Sequence, residues 1–265
     1  MLESGRSEGL IGWQNSQTTG TKTVNNKRQA LVTGANKGIG LAIARGLAEA
    51  GFFVWIGARD SARGGLAVAD LRDKGLDVGL LELDVADEAS VHRAIATLTS
   101  QISSLDILVN NAGIAVDMTK LPSEVHMKDM KAVFEVNLFG PVRVTQAFLP
   151  LLKAADQARV VMMSSGVGSL TLITDPTSIY STVNLLDYTS SKVALNAVTV
   201  SFAKELEPLG IKVNAVEPGH VRTDLNGNSG VLTPEEGAAT AIKMALLGPE
   251  GPTGGFFGSH GRQPW

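Results

Sequence analysis

From residue 28 onward, short β-branched apolar runs alternate with longer segments of helical period, and this alternation constrains the fold more than any other feature. The runs lie at 30–32, 52–56, 78–81, 105–109, 160–163 and 211–216; the helical segments lie at 39–50, 62–74, 88–99, 128–154, 188–209 and 233–247. Most runs are apolar throughout, as strands covered on both faces are. The pattern predicts an α/β fold in which a doubly wound parallel sheet, joined by right-handed crossovers, forms a single domain over 28–265. In such sheets ligands bind beyond the carboxyl ends of the strands, where the strand order reverses. The residues just after each run are therefore the candidates for chemistry.

Composition narrows the partners. A chain of 265 residues, 44% of them hydrophobic, can bury one full core. Its 23 basic and 26 acidic residues give a net charge of -3, without the basic excess that neutralises duplex phosphates, so no nucleic-acid partner is expected. No stretch reaches the roughly 18–20 consecutive apolar residues of a membrane span, so no membrane partner is expected either. The absence of cysteine excludes thiolate metal sites and thiol nucleophiles. His92, His126, His220 and His260 are widely spaced, so no metal is expected. A cytoplasmic location is the default expectation. Residues 1–27 carry Glu3, Arg6 and Glu8 where a signal peptide would be basic and then apolar. They read as a disordered leader or cloning remnant, with Leu10, Ile11 and Trp13 as the residues able to dock.

After the first run comes Thr33-Gly34-Ala35-Asn36-Lys37-Gly38-Ile39-Gly40, opening a helix. Gly34, Gly38 and Gly40 permit a tight turn and close backbone approach to a pyrophosphate at the helix N-terminus, although three glycines there can also be purely structural. At the end of the second run, where an NAD enzyme usually has a carboxylate for the ribose 2′-hydroxyl, stands Ala58, followed by Arg59 and Asp60. Arg59 and Lys37 together would meet a 2′-phosphate, which points to NADP(H); the alternative is an Arg59 paired with Asp60 at a solvated strand end. Asp84-Val85 ends the third run and suits an adenine amino group. Asn110-Asn111-Ala112-Gly113 ends the fourth and would line the adenosine ribose. Asn137, a poor helix former in an apolar stretch, suggests a functional or kinking polar group. Each Asn alternatively satisfies local backbone groups.

The fifth run leads to Ser164-Ser165-Gly166, and the next helix opens with Tyr188-Thr189-Ser190-Ser191-Lys192. Tyr188 and Lys192, four apart, share a helical face. A nearby ammonium favours the phenolate, so the pair is expected to lower the phenol pKa toward the working range and make Tyr188 an acid-base group. Tyr-x-x-x-Lys also occurs by chance. Tyr180 has Asn184 four residues on, lacks the cation, and reads as packing or substrate contact.

Taken together, the glycine turn 33–40, Asn110-Asn111-Ala112-Gly113, Asn137, Ser165, Tyr188 with Lys192, and Pro218-Gly219 with Thr223 resemble the short-chain dehydrogenase/reductase family over about residues 28–265. Asn36-Lys37, Ala58-Arg59-Asp60, residues 233–238 and the tail 251–265 are similar to its NADPH-dependent carbonyl reductases. The resemblance implies a Rossmann fold and reversible reduction of ketones or aldehydes to alcohols, the hydride coming from the cofactor. It implies that Tyr188 donates the proton, Ser165 hydrogen-bonds the same oxygen, Lys192 grips the nicotinamide ribose, and Asn137 holds a water linking Lys192 to solvent. Pro218, Gly219 and Val221 would pass the nicotinamide, with Thr223 on its carboxamide or a phosphate. A steroid- or terpenoid-type hydroxyl dehydrogenase and a nonenzymatic NADP(H)-sensing module are the alternative readings.

Twenty-three positions separate Ser165 from Tyr188, more than the family usually places there. The insertion, 170–187, offers a turn at Asp175-Pro176-Thr177-Ser178 and Ile179, Tyr180, Leu185 and Leu186 as substrate wall. Similar insertions cover a helix used for tetramer formation, which favours a monomer over a homodimer or homotetramer. The short, glycine-containing loop between Thr223 and Thr233 implies an open pocket for bulky apolar carbonyl substrates, with Met163, Val167 and His220 among its walls.

Overall fold

The computed structural model describes residues 27–265, so the expected leader, apart from Lys27, lies outside the described residues. β1 (Gln29–Thr33), β2 (Phe53–Ala58), β3 (Val78–Glu82), β4 (Ile107–Asn110), β5 (Arg159–Met163), β6 (Lys212–Val216) and β7 (Phe256–Gly258) run parallel, and β8 (Gly261–Gln263) closes the edge antiparallel to β7. The order is β3-β2-β1-β4-β5-β6-β7-β8. The chain winds outward from β1 to β3, then crosses back to β4 on the other side of β1. That reversal opens the cleft at the carboxyl ends of β1 and β4. The expected doubly wound sheet is therefore present, with a short terminal hairpin that the apolar runs do not announce.

Alternation along the strands divides the core. Ala30 and Val32 of β1 face α1 (Gly38–Glu49), α2 (Ser61–Asp73) and α8 (Pro234–Ala245), through Ile43, Leu47, Val68, Leu71 and Ala241. Leu31 faces the other layer: α3 (Glu88–Thr99), α5 (Gly140–Lys153) and α7 (Leu186–Leu206), through Leu98, Phe148, Leu152, Leu195 and Leu206. Each such fully buried Leu or Phe contributes about 1.5–3 kcal/mol of transfer free energy. Two dry layers of this kind hold the strand ends rigid beneath the cleft.

The helix expected over 128–154 is interrupted. α4 (Met127–Phe134) passes through a π-turn at Glu135–Phe139 before α5 begins. Gly140 packs where a Cβ would lie 2.9 Å from Val85 Cγ2, and Pro141 has no N–H for the carbonyl four residues back, that of Asn137. A register change resolves both constraints and buries Asn137 completely. The insertion contributes a short helix, α6 (Leu170–Thr174), and the expected turn, in which Asp175 Oδ1 accepts from Thr177 N at 2.8 Å.

Gly34 adopts φ +63, and a Cβ there would lie 2.9 Å from Ala112 Cα. Gly34→Ala combines left-handed strain with a backbone clash and is expected to cost about 1–3 kcal/mol, or several degrees of Tm. Denaturant unfolding checks this; a loss below about 0.5 kcal/mol would contradict the packing described.

Candidate active site

Four predicted residues meet where β4, β5 and α7 converge. Ser165 follows β5, and its hydroxyl lies beside the Tyr188 phenol at the start of α7, close enough to pull its pKa down. Lys192, one turn on, is buried; its Nζ donates to the Met163 carbonyl at 2.7 Å and lies 5.5 Å from the Tyr188 ring centroid. Asn137 reaches the same place from the π-turn. Its Oδ1 accepts from Ile114 N at 2.8 Å, while its Nδ2 donates to the Ile114 carbonyl at 2.9 Å and to Ser191 Oγ at 3.2 Å. Gly113 lies beside both: a Cβ there would sit 3.4 Å from Asn137 Oδ1 and 3.8 Å from Lys192 Nζ, within ordinary contact. Nearby, Ser164 Oγ donates to Asn196 Oδ1 at 2.6 Å and Asn196 Nδ2 to the Gly168 carbonyl at 2.9 Å, pinning the turn after Ser165 onto α7.

The electrostatics depart from expectation. Burial pushes the Tyr188 phenol up from its ordinary 10.0 to about 12, with the Ser165 hydrogen bond pulling more weakly the other way. Burial holds Lys192 down from 10.5 to about 8. The expected lowering of the phenol by its lysine neighbour is absent from this state. Loss of water around the phenolate outweighs an ammonium that is itself desolvated and occupied by a carbonyl. The structure thus presents a protonated phenol at neutral pH.

The other side of the cleft is built from the glycine turn. Thr33 Oγ1 accepts from the backbone N–H groups of Asn111 and Ala112 at 2.9 and 3.0 Å, and Asn111 Nδ2 donates to the Thr33 carbonyl at 2.9 Å and the Gly34 carbonyl at 3.2 Å. The Asn111 amide is therefore spent on holding the turn, the local-backbone alternative for that residue. Gly40 has no room for a side chain between Asn111 and Gly34. α1 starts at an extended Lys37 with no side-chain cap and no acidic residue in its first turn, so its leading N–H groups suit an anion.

Ala58 is buried and Arg59 is exposed at the end of β2. Asp60 caps α2 and pairs with Arg63 at 3.3 Å, so the carboxylate that could have engaged Arg59 is turned elsewhere. Lys37 Nζ bonds Asp224 Oδ2 at 2.6 Å across the cleft, and Arg63 adds to the positive field on Asp224. Arg63 and Asp224 were missed from sequence. Arg63 stands one helical turn beyond Arg59, which was the available signal. Asp84 Oδ1 accepts from Ala86 N at 3.0 Å, and the Val85 carbonyl accepts from Arg143 Nη1 at 2.6 Å, which ties the third strand end to α5.

Gly219 takes φ +79 after Pro218, and Val221 packs its side chain against Gly237 of α8 while its carbonyl accepts from Asn226 Nδ2 at 2.9 Å. Thr223 approaches Gly38, where a Cβ would lie 3.6 Å from Thr223 Cγ2. Asn36 and Ile39 are partly buried within the glycine turn. Among the substrate candidates, Val167 is only 5% exposed and Met163 is equally buried, so both offer little surface. His220 is exposed, its Nε2 3.4 Å from Ser229 Oγ. The two concavities that stand out, at Gly38 and Pro234 behind α1 and at Phe53 and Arg72 beneath β2, include neither Ser165 nor Tyr188 in their lining.

Known proteins resemble this arrangement. The family profile described as short chain dehydrogenase matches residues 28–231. A (+)-neomenthol dehydrogenase of Arabidopsis thaliana is 36% identical, over 87% of this chain and 95% of that protein. A carbonyl reductase [NADPH] 1 of Rattus norvegicus is 32% identical, over 89% and 98%. The crystal structure of an NADPH-bound carbonyl reductase from chicken fatty liver superposes with a TM-score of 0.80 at 31% identity, over 90% of this chain and 99% of that one.

The chain has two tyrosines, Tyr180 and Tyr188, and both phenols are raised above 10.0. At pH 10, where a free phenol is half ionised, tyrosinate absorbance of the folded, cofactor-free protein is expected to be near zero; a half-developed signal before unfolding would refute the burial assigned to Tyr188.

Proposed function

The chain belongs to the short-chain dehydrogenase family, and from that premise we propose that it is an NADP(H)-dependent oxidoreductase reducing bulky apolar ketones or aldehydes to alcohols, reversibly. The observation that carries the reading is the convergence of a protonated Tyr188 phenol, the Ser165 hydroxyl and the buried Lys192 ammonium at the strand ends bordering the cleft. The anion-ready start of α1, Ala58 in place of a carboxylate at the end of β2, and the cations Lys37, Arg59 and Arg63 fit a dinucleotide carrying a 2′-phosphate. Asp84, Val85, Ala112, Gly113, Pro218, Gly219, Val221 and Thr223 would line the rest of it. Names among the relatives, an NADPH-bound carbonyl reductase and an NADPH carbonyl reductase, support the same cofactor.

When bound, the reduced nicotinamide supplies a hydride to the carbonyl carbon. The chain's own residues manage the oxygen. Tyr188, kept protonated by burial, gives its proton to the oxygen as negative charge develops there, and Ser165 hydrogen-bonds the same atom. Lys192 holds positive charge beneath the phenol and favours the phenolate left behind. Its alternative partner is the nicotinamide ribose. The side-chain amide of Asn137 is fully used by Ile114 and Ser191, so its backbone carbonyl, denied an α-helical N–H by Pro141, is the acceptor for a water that returns the proton. Oxidation of the alcohol needs the phenolate and is favoured as pH rises; reduction needs the phenol and declines as pH approaches its pKa. A terpenoid-type hydroxyl dehydrogenase, the same reaction on a different ring system, is the second reading, favoured by the neomenthol dehydrogenase relative. A cytoplasmic monomer completes the proposal.

A carbonyl panel followed at the NADPH absorbance band tests this: turnover of hydrophobic ketones is expected, and NADPH binding without turnover of any carbonyl would defeat it. Tyr188→Phe is expected to lower kcat by about a hundred- to ten-thousandfold with NADPH binding retained. Arg59→Ala is expected to raise KM for NADPH by roughly ten- to a hundredfold and to leave that for NADH unchanged. Equal KM values for the two cofactors, insensitive to this change, would refute the 2′-phosphate assignment.

A further inference from the structure

Tyr180 lies in the insertion between Ser165 and Tyr188 and takes no part in the chemistry described above. Its ring rests directly on Gly166, the residue after Ser165: a Cβ there would fall 2.1–2.4 Å from Tyr180 ring atoms. Its hydroxyl donates to Glu217 Oε2 at 2.7 Å. Glu217 is a buried carboxylate immediately before Pro218-Gly219, and its N–H donates to the Phe257 carbonyl at 2.8 Å. Gly258 of the terminal hairpin leaves space for it, since a Cβ there would lie 2.6 Å from Glu217 Oε1. One side chain thus touches the residue beside Ser165 and the residue beside the Pro218 turn.

A second tether fixes the far side of the same segment. Thr171 donates from its N–H at 3.2 Å and its Oγ1 at 2.8 Å to the carbonyl of Trp265, whose ring stacks on Phe256 at 5.6 Å. Ile179, between the tethers, is 82% exposed, and Leu186, past Tyr180, is 38% exposed, apolar surface on a segment that starts after Ser165 and ends at Tyr188. Internal hydrogen bonds shape the segment's turns, such as Thr177 N to Asp175 Oδ1 at 2.8 Å and Val183 N to the Tyr180 carbonyl at 3.0 Å, but they do not tie it to the sheet. Among the described residues, the Tyr180 hydroxyl ties it to a buried partner there.

We propose that Tyr180, through Glu217, is a positioning and specificity residue: it clamps 170–187 across the cleft as the wall that orients the carbonyl substrate, and holds the Ser165 and Pro218 turns in register. Removing the hydroxyl frees the wall without removing a reacting group, so it acts on substrate fit before it acts on proton transfer. Gln in place of Glu217 keeps an oxygen acceptor for the phenol; Leu of similar size does not.

This inference rests on the reductase reading, and its test separates the two. Full-length wild type, Tyr180→Phe, Glu217→Gln and Glu217→Leu are compared by amide hydrogen exchange and by NADPH-dependent reduction of one bulky and one small ketone. In Tyr180→Phe and Glu217→Leu the amides of 170–187 are expected to exchange about tenfold faster. Their KM for the bulky ketone is expected to rise about tenfold, with kcat within about threefold and a less one-sided product stereoisomer ratio. Glu217→Gln is expected to restore both readouts to near wild type. Exchange needs no turnover, so equal exchange in wild type and Tyr180→Phe overturns the clamp even if no carbonyl is reduced, an outcome that would separately defeat the reductase reading. Faster exchange with unchanged KM and stereoisomer ratio overturns the specificity role.

Discussion

An ammonium removed from water has to find acceptors or lose its proton, at a cost of several kcal/mol if neither is arranged. Lys192 meets that demand with the carbonyl of Met163, the last residue of β5. The contact places α7 over the strand end, and Tyr188, one turn earlier, comes to lie beside Ser165, two residues past Met163. A glycine completes the accommodation: a Cβ on Gly168 would press to 3.1 Å from Lys192 Cβ. Core packing of Leu195 and Leu206 and the Ser164–Asn196 bond hold the body of α7, and the ammonium adds the contact that fixes its first turns over the end of β5.

Across the cleft the governing interactions are exposed. The Lys37–Asp224 pair is more than half exposed on both sides, and solvent screening makes pairs of that kind weak. Such a contact costs little to rearrange, whereas the ammonium of Lys192, buried, needs an acceptor wherever it turns. The two banks therefore differ in character. One is buried and hydrogen-bonded throughout, and the other is held by exposed charges, Lys37 on Asp224 and Arg63 on Asp60.

Much of this was legible in residues alone because it depends on local period and local sterics. Alternating runs and helical segments specify a doubly wound sheet, since a strand buried on both faces has to be apolar throughout. The four-residue step from Tyr188 to Lys192 specifies a shared helical face, and Gly34, Gly38 and Gly40 specify a turn close to something. The π-turn at Glu135–Phe139 was less legible, because it arises from Gly140 meeting Val85 and Pro141 withholding an N–H, constraints felt only once the helix is packed.

What the order of residues determined, then, is the architecture and the identity of the groups at the strand ends, through periodicities that act over a few neighbours. Tertiary structure decided how those groups behave. The Tyr188 phenol is raised rather than lowered because burial depends on everything packed above it, not on the lysine one turn away. Tyr180 meets Glu217, 37 positions on, because the sheet carries the end of β6 beside the insertion. A hydrogen bond between residues so far apart in the chain leaves no periodic trace, and only the folded sheet brings donor and acceptor together.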